Sequence, residues 1–462
     1  METPIADFVR RYADSGMVRA HVPGHKGKPF LGCEALDITE IRGADSLYEA
    51  DGIIRRSESC AGELFGSGRT VYSTEGSSQC IRAMLYLALI CGNGSRTIVA
   101  ARNVHRAFLY AAALLDFEIV WLWPERSTSL CSCPVSPDTL ERTLAELPAP
   151  PAAVYLTSPD YLGGMADISA LAEVCRKHST LLAVDNAHGA YLRFLPQNCH
   201  PIAQGAAMCC DSAHKTLPVV TGGAYLHLAH DAPVQDEAAV RGALALFGST
   251  SPSYLILQSL DACNAVLAGD YPRRLVQCCV ALEGLRRSLN KTAAARQCPV
   301  PLAVAGAQQE PMKLTLDAAA LGCTGTALAD ALRRAQLECE YADPRYVVLM
   351  FTPENPPQDY TRLQTVLEQL LAAVPAGLLR PENRAGEFAA LQQQAAQRCT
   401  IRQAVLGAQV RVPVHKALGR VCAMPTVSCP PAIPVAVSGE EITPAAIVLM
   451  QRYGIEELSV LR

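Results

Sequence analysis

Between about residue 70 and residue 230, short apolar runs alternate with stretches whose apolar positions recur at helical spacing. The runs predict strands over Thr97–Ala101, Glu118–Trp123, Ala153–Thr157, Leu181–Val184, Ala206–Cys210 and Gly223–His227. Between them Leu140, Leu144 and Leu147 fall at i, i+4 and i+7, and Ile168, Leu171 and Cys175 at i, i+3 and i+7. Each trio marks the face of one helix, and Asp167 is placed to cap the second. Strand and helix in alternation predict an α/β domain, a mostly parallel sheet covered by helices.

Past residue 290 the pattern changes. Met312–Leu316, a helix around Thr326–Gln336 and Tyr346–Thr352 predict a smaller α+β unit, followed by a helix over Gln358–Ala373. A further unit starts near Glu387, and its Gln-rich piece Leu391–Gln397 sits among good helix formers, which predicts an exposed helix. Pro148–Pro151 has the length of an ordinary connection and is taken as a loop. No period of a solenoid is present.

Composition narrows the function classes. Across 462 residues, 40 Lys and Arg stand against 44 Asp and Glu, a net charge of −4, too weak a field to condense nucleic acid or an anionic membrane. The expected partner is a small molecule. Half the residues are hydrophobic and 18% are charged, which excludes disorder and favours large internal or subunit interfaces. Apolar runs are broken before membrane-spanning length, as Asp116 and Glu118 break the one from Ala107. The first residues lack the basic flank and apolar stretch of a secretory signal, so the nineteen cysteines are expected as reduced thiols in the cytoplasm. Cys131 and Cys133 are too close for a zinc knuckle, and Cys209-Cys210 and Cys278-Cys279 lie in apolar surroundings. These thiols are read as small hydrophobes, and no metal is expected.

The candidate chemistry gathers at predicted strand ends. Ser212-Ala213-His214-Lys215-Thr216-Leu217 precedes Pro218–Leu226, a run without charge. A lone lysine is ordinarily a solvated surface residue, but one with such neighbours is desolvated, its amine is driven toward the neutral nucleophile, and it suits a Schiff base. Asp185 ends the apolar run Leu181–Val184, where open α/β sheets collect ligands; alone it would equally cap a turn. Together Lys215 and Asp185 are the pair that pyridoxal phosphate requires, a lysine for the aldehyde and a carboxylate for the pyridinium nitrogen. Thr74-Glu75-Gly76-Ser77-Ser78 lies just before the helical run Ile81–Ile90, where Gly76 allows close approach of a phosphate and the serines can donate. His105 follows the strand ending at Ala101, where an imidazole could lie over a flat cofactor or simply pack as a core or surface residue.

These segments resemble the prokaryotic ornithine/lysine/arginine decarboxylase family, in a short form without its large N-terminal wing domain. The resemblance runs nearly the whole chain: His21–Gly27, Asp37–Glu40, Gly43–Leu47, Thr74–Ser78, Arg102–Arg106, Ser158–Gly163, Val184–Ala190, Ser212–Leu217, Ser249–Tyr254, Ser259–Asp261, Pro430–Pro434 and Ser438–Glu440. It implies a fold type I enzyme dependent on pyridoxal 5'-phosphate, like aspartate aminotransferase in fold. Its large domain would carry a mostly parallel seven-stranded sheet beside a small α+β domain and a C-terminal domain. The boundaries expected are an arm over 1–45, the cofactor-binding domain over 46–290, the small domain over 291–375 and the C-terminal domain over 376–462. Lys215 is implied as the Schiff-base lysine, Asp185 as the partner of the ring nitrogen and His105 as the ring-stacking residue, these three being catalytic. Gly76, Ser77, Ser78, His188, Ser212 and His214 are implied around the cofactor, with Thr250 or Ser251 reaching it from a second subunit of a homodimer or higher even oligomer.

Several positions depart from the family pattern. Glu75 stands for Asn, Asn186 for Glu, Gly222 for Gln, Ala432 for Gly, and Lys416 for an acidic residue. The altered positions concentrate at the substrate end, where a basic amino acid needs carboxylates. The expected activity is decarboxylation of arginine, lysine or ornithine, giving the amine and CO2, as in polyamine biosynthesis. Two other readings stay open: transamination or a lyase step on the same cofactor, with Arg345, Arg411 or Arg420 for a substrate carboxylate, and a catalytically silent regulatory relative.

Overall fold

The computed structural model describes residues 1–92, 94–125, 129–374, 386–427 and 432–462. It divides into two compact units, the first from 1–100, 136–158 and 167–272, the second from 101–135, 159–166 and 273–462.

Seven strands make the main sheet: β1 (Arg69–Ser73), β2 (Thr97–Ala101), β3 (Glu118–Leu122), β4 (Ala153–Thr157), β5 (Leu181–Asp185), β6 (Met208–Asp211) and β7 (Ala224–Leu228), in the order β1-β7-β6-β5-β4-β2-β3. Pairs β2/β4, β4/β5 and β5/β6 are parallel, while β7 runs antiparallel to both β6 and β1. The mostly parallel sheet is therefore as expected. The expected strands appear with ends moved by up to two residues; β1, which was not singled out, closes one edge. Its sequence Arg-Thr-Val-Tyr-Ser is too polar to stand out as an apolar run.

In the first unit, helix α1 (Pro4–Asp14), α2 (Ile53–Phe65) and α3 (Ser77–Cys91) precede the crossover helices. From Cys80 on, α3 is apolar except at Arg82, because it packs against β5, β6 and β7. Several matched motifs turn out to tie down helix starts. Asp261 accepts from the backbone N–H groups of Ile5 and Ala6, both at 2.9 Å, at the N-terminus of α1. Asp45 accepts from Gly52 and Ile54 N–H groups, also at 2.9 Å, at the start of α2. In the second unit α4 spans Arg106–Leu115. Back in the first, α5 (Pro137–Glu146) and α6 (Ile168–Lys177) bury the faces marked by Leu140, Leu144, Ile168, Leu171 and Cys175, and Asp167 caps α6 through the Ala170 N–H at 3.1 Å.

The second unit also holds β8 (Lys313–Asp317), β9 (Tyr341–Ala342) and β10 (Tyr346–Met350), antiparallel in the order β8-β10-β9, with helices Gly325–Arg334 and Pro357–Ala372. Farther on, Gln409–Pro413 pairs antiparallel with Glu457–Leu461. The helix expected over Leu391–Gln397 lies at Gly386–Gln394. No described helix is long and apolar enough to cross a membrane.

Of the Pro430–Pro434 motif, Pro430 and Pro431 lie outside the described residues. Ala432, where the family carries Gly, has φ +60° and is buried. An L-residue in that region costs about 1–2 kcal/mol. Ala432→Gly is therefore expected to raise unfolding stability by up to about 1 kcal/mol in urea titration, the flexibility glycine adds to the unfolded chain offsetting the rest. A loss of stability in this variant would show that the buried methyl outweighs the strain.

Candidate active site

Strand β5 is buried along its length except at Leu181, and it delivers Asp185 at its C-terminal end. The carboxylate is almost fully enclosed. Tyr155 OH donates to its Oδ2 at 3.1 Å, Ala187 N–H donates to Oδ1 at 3.2 Å, and the Cys210 thiol points at Oδ1 from 3.7 Å. Burial pushes the Asp185 carboxyl above the ordinary range, and the charge of Lys215 pulls it back down. An ion held this way is costly alone and favourable once a cation or a protonated ring nitrogen faces it.

Lys215 sits on α7 (Ala213–Thr216), a four-residue helix directly after β6. The residue is partly exposed, and Nζ lies 3.2 Å from His188 Nε2. His188 itself is buried, three residues after Asp185 on the loop leaving β5.

The turn before α3 forms an anion cradle. Gly76 has φ +70° and a Cβ there would meet no atom within 4 Å, so the space beside the helix N-terminus is open. No side chain caps α3, which leaves its first N–H groups to an external acceptor. Ser212 Oγ donates to Ser77 Oγ at 2.7 Å, bringing the turn and the lysine segment together. Gly76 N–H donates to Gly222 O at 2.7 Å, and the His214 Nδ1 lies 3.0 Å from Gly223 O. Ser78 is partly exposed at the second position of α3.

Three departures from the family pattern acquire physical reasons. Gly222 has φ +101°, and a Cβ would lie 3.0 Å from both Thr74 O and Ile256 Cδ1, so a longer residue does not fit without a shift. Glu75 accepts from the Ser249 N–H, so its carboxylate holds the start of the loop that bears Thr250 and Ser251, both exposed. Asn186 donates from Nδ2 to Asp211 Oδ1 at 2.7 Å; a glutamate in its place would set two carboxylates together. Nothing in the structure explains Lys416, which is exposed in the turn Val414–Lys416.

His105 belongs to the second unit, where it is the N-cap of α4 and its Nδ1 accepts from Ala107 N–H at 3.2 Å. That bond assigns the remaining proton of a neutral ring to Nε2. The matched motifs on either side of it meet there. Arg102 donates to Pro434 O at 3.0 Å and Val435 O at 3.2 Å, lies 3.4 Å from Glu440 Oε2, and stacks on Trp121 and Trp123. Arg106 N–H donates to Ala432 O at 3.0 Å. The distal Pro434 and Glu440 segment thus braces the loop that carries His105.

Of the arginines left open for a substrate carboxylate, Arg345 pairs with Asp317 at 2.7 Å, Arg411 with Glu457 at 3.0 Å, and Arg420 donates to Leu461 O at 2.7 Å. Sequence reasoning missed Tyr155, whose signal is only its place two residues before the end of β4, on the strand that pairs with β5. The donor set fits pyridoxal phosphate: an amine at Lys215, a buried carboxylate at Asp185, and an open helix start with two hydroxyls for the phosphate.

Residues 3–308 match the family model described as the Orn/Lys/Arg decarboxylase major domain. An arginine decarboxylase of Bacillus subtilis is 28% identical over 464 residues, covering 96% of this chain and 91% of that protein. The crystal structure of a lysine decarboxylase from Francisella novicida superposes with a TM-score of 0.78 at 17% identity, covering all of this chain (100%) and 81% of the other. A serine palmitoyltransferase of Sphingomonas wittichii shares the fold at a TM-score of 0.51 and 17% identity, over 70% of this chain and 77% of its own. With that fold and that match over most of its length, the chain belongs to the Orn/Lys/Arg decarboxylase family and is a fold type I, pyridoxal phosphate-dependent amino-acid decarboxylase.

Proposed function

We propose that the substrate is a basic amino acid, arginine, lysine or ornithine, released as the amine and CO2. The observation that carries this reading is the buried Asp185 carboxylate within electrostatic reach of the Lys215 amine, in a chain whose relatives are named arginine and lysine decarboxylases. Pyridoxal phosphate, when bound, supplies a sink for the electron pair left as the bond from Cα to the carboxylate breaks. Lys215 would hold the cofactor through its amine. His188 Nε2, 3.2 Å from Nζ, takes or returns the proton of that amine. Asp185 keeps a proton at the ring nitrogen, and Tyr155 and Ala187 N–H keep Asp185 aimed. Ser77, Ser78, Ser212 and the open N-terminus of α3 at Gly76 would hold the phosphate, with His214 beside them; a stacking role for His105 rests on the family resemblance alone.

Incubation with a panel of amino acids, measuring CO2 and amine, tests the substrate. Release of amine from arginine, lysine or ornithine is the expected result, and keto-acid formation without CO2 would overturn it. Transamination is disfavoured because Arg345, Arg411 and Arg420 are engaged by their own neighbours.

The described cysteines are free thiols, which supports a reducing cytoplasmic location and a part in polyamine supply. The active unit in this reading is a homodimer with composite sites, built from the domains at 46–290, 291–375 and 376–462 with the arm at 1–45. Two features support it: Thr250 and Ser251 are exposed, and the arm exposes Val18 (86%), Phe30 (78%) and Leu31 (90%).

A further inference from the structure

A second cluster of reactive side chains lies in the first unit, and the chemistry above makes no use of it. Along β6 the side chains alternate: Cys210 turns toward Asp185, while Cys209 and Asp211 share the other face. His227 stands directly opposite Cys209 in the antiparallel register of β7 on β6. His200 arrives from the segment before β6. All four side chains are sealed from solvent.

Their donor atoms converge. His200 Nε2 lies 3.0 Å from Asp211 Oδ2 and 3.9 Å from Cys209 Sγ, and His227 Nε2 approaches the same Oδ2 at 3.3 Å. The ligand atoms of His200, Cys209 and Asp211 all fall within 4.8 Å of one another. Tetrahedral zinc, with about 2.0–2.1 Å to N or O and 2.3 Å to S, holds its ligand atoms some 3.3–3.8 Å apart. His200, Cys209 and Asp211 come near that spacing, while His227 approaches through Asp211 alone and would have to turn its Nε2 toward the centre to complete a tetrahedron.

Hydrogen bonding alone leaves it incomplete. His227 Nε2 is buried, aims at Asp211, and makes no hydrogen bond of acceptable geometry. Behind His227 and Asp211 the outer groups are in place, while His200 Nδ1 is buried without a hydrogen bond. His227 Nδ1 is 2.8 Å from Thr70 Oγ1, which lies 2.7 Å from Ser67 Oγ, and Asp211 Oδ1 accepts from Asn186 Nδ2 at 2.7 Å. Outer partners of this kind fix ring orientation and carboxylate direction in metal sites. A divalent ion would take a thiolate and a carboxylate and leave the buried centre neutral. The mixture of thiolate, imidazole and carboxylate suits zinc and excludes magnesium or calcium.

We infer that His200, Cys209, Asp211 and His227 form a closed structural site for one zinc ion, joining β6, β7 and the segment before β6 under the Asn186 loop. Binding displaces the Cys209 thiol proton to solvent and leaves no open position for substrate. The site is independent of the cofactor chemistry: a metal-bound chain could be inactive, and an active chain could be metal-free.

The test is metal content of the native chain, expressed with supplemental zinc and purified without chelator. About one equivalent of zinc per chain is expected, retained on dialysis against EDTA because the site is sealed. Chain produced with cobalt in place of zinc should show the strong visible bands of a tetrahedral ion, and Cys209→Ala should lower bound metal at least about tenfold. If that variant does not fold, the cobalt spectrum of the native chain decides through its thiolate charge-transfer band. Folded native chain with under about a tenth of an equivalent of transition metal would overturn the site and leave a histidine–aspartate hydrogen-bond network. Metal retained in Cys209→Ala, or cobalt without thiolate character, would overturn it equally.

Discussion

Lys215→Ala is expected to lose three or more orders of magnitude in decarboxylation, at least about 4 kcal/mol of transition-state stabilisation, while the chain still folds. The side chain is partly exposed on a short helix and Nζ meets His188 at 3.2 Å, so truncation opens no large core cavity. Borohydride reduction of the native enzyme followed by peptide mapping should place a pyridoxyl group on Lys215 and on no other lysine. Small primary amines added to Lys215→Ala should restore part of the activity if the amine has a chemical role; a structural role would not respond. Retained activity, or a label elsewhere, sinks the assignment.

The same variant tests the composite site. Thr250 and Ser251 follow the loop start that Glu75 holds through the Ser249 N–H, and both are exposed on the single chain. If a partner's cofactor needs those hydroxyls, a double-alanine variant at 250 and 251 is inactive, and mixing it with Lys215→Ala under subunit exchange restores about one working site per mixed dimer. Proven exchange between two dead parents without recovery would separate this loop from the partner's site.

What the sequence revealed follows from how local each signal is. Strands β2, β4 and β5 were legible because strands buried on both faces are continuous apolar runs, and Asp185 is conspicuous as the first charge after such a run. Lys215 was legible because its neighbours are uncharged. Gly76 stood out as a residue that allows close approach before a helix, and it takes φ +70° there. Tyr155 was hidden: in a strand it has the pattern of any core aromatic, and only the parallel pairing of β4 with β5 shows that its hydroxyl reaches Asp185.

The cluster at Asp211 was hidden for a related reason. His200, Cys209 and His227 come from three segments, and Cys209 has the apolar sequence neighbours of an inert thiol. Departures from the family pattern were visible as substitutions, yet their causes are three-dimensional. Gly222 answers to Thr74 O, and Asn186 to a carboxylate 25 residues away in sequence. The bracing of the His105 loop was equally out of reach, because Arg102 and Glu440 are 338 residues apart.

Asp185→Asn is expected to keep the fold and most of the cofactor but to lower kcat by two to four orders of magnitude, about 3–5 kcal/mol. The substitution is nearly isosteric, and its amide oxygen can still accept from Tyr155 OH or Ala187 N–H, whose distances are 3.1 and 3.2 Å. What disappears is the negative charge. In a site this buried, an ion pair with a protonated ring nitrogen is strong because little water screens it, and a neutral amide cannot keep that proton in place. The electron sink would then weaken for the bond-breaking step, while a phosphate held at Gly76, Ser77 and Ser212, as proposed, would be unaffected. The split between kcat and cofactor affinity is the diagnostic: a purely structural role for Asp185 would lower stability and cofactor content together and leave the turnover of loaded enzyme unchanged. Asp185→Glu keeps the charge but adds a methylene against Tyr155 and Cys210, both fully buried, so it should recover only part of the rate. Near-normal turnover in loaded Asp185→Asn would refute the role of this carboxylate, whatever the fate of Lys215.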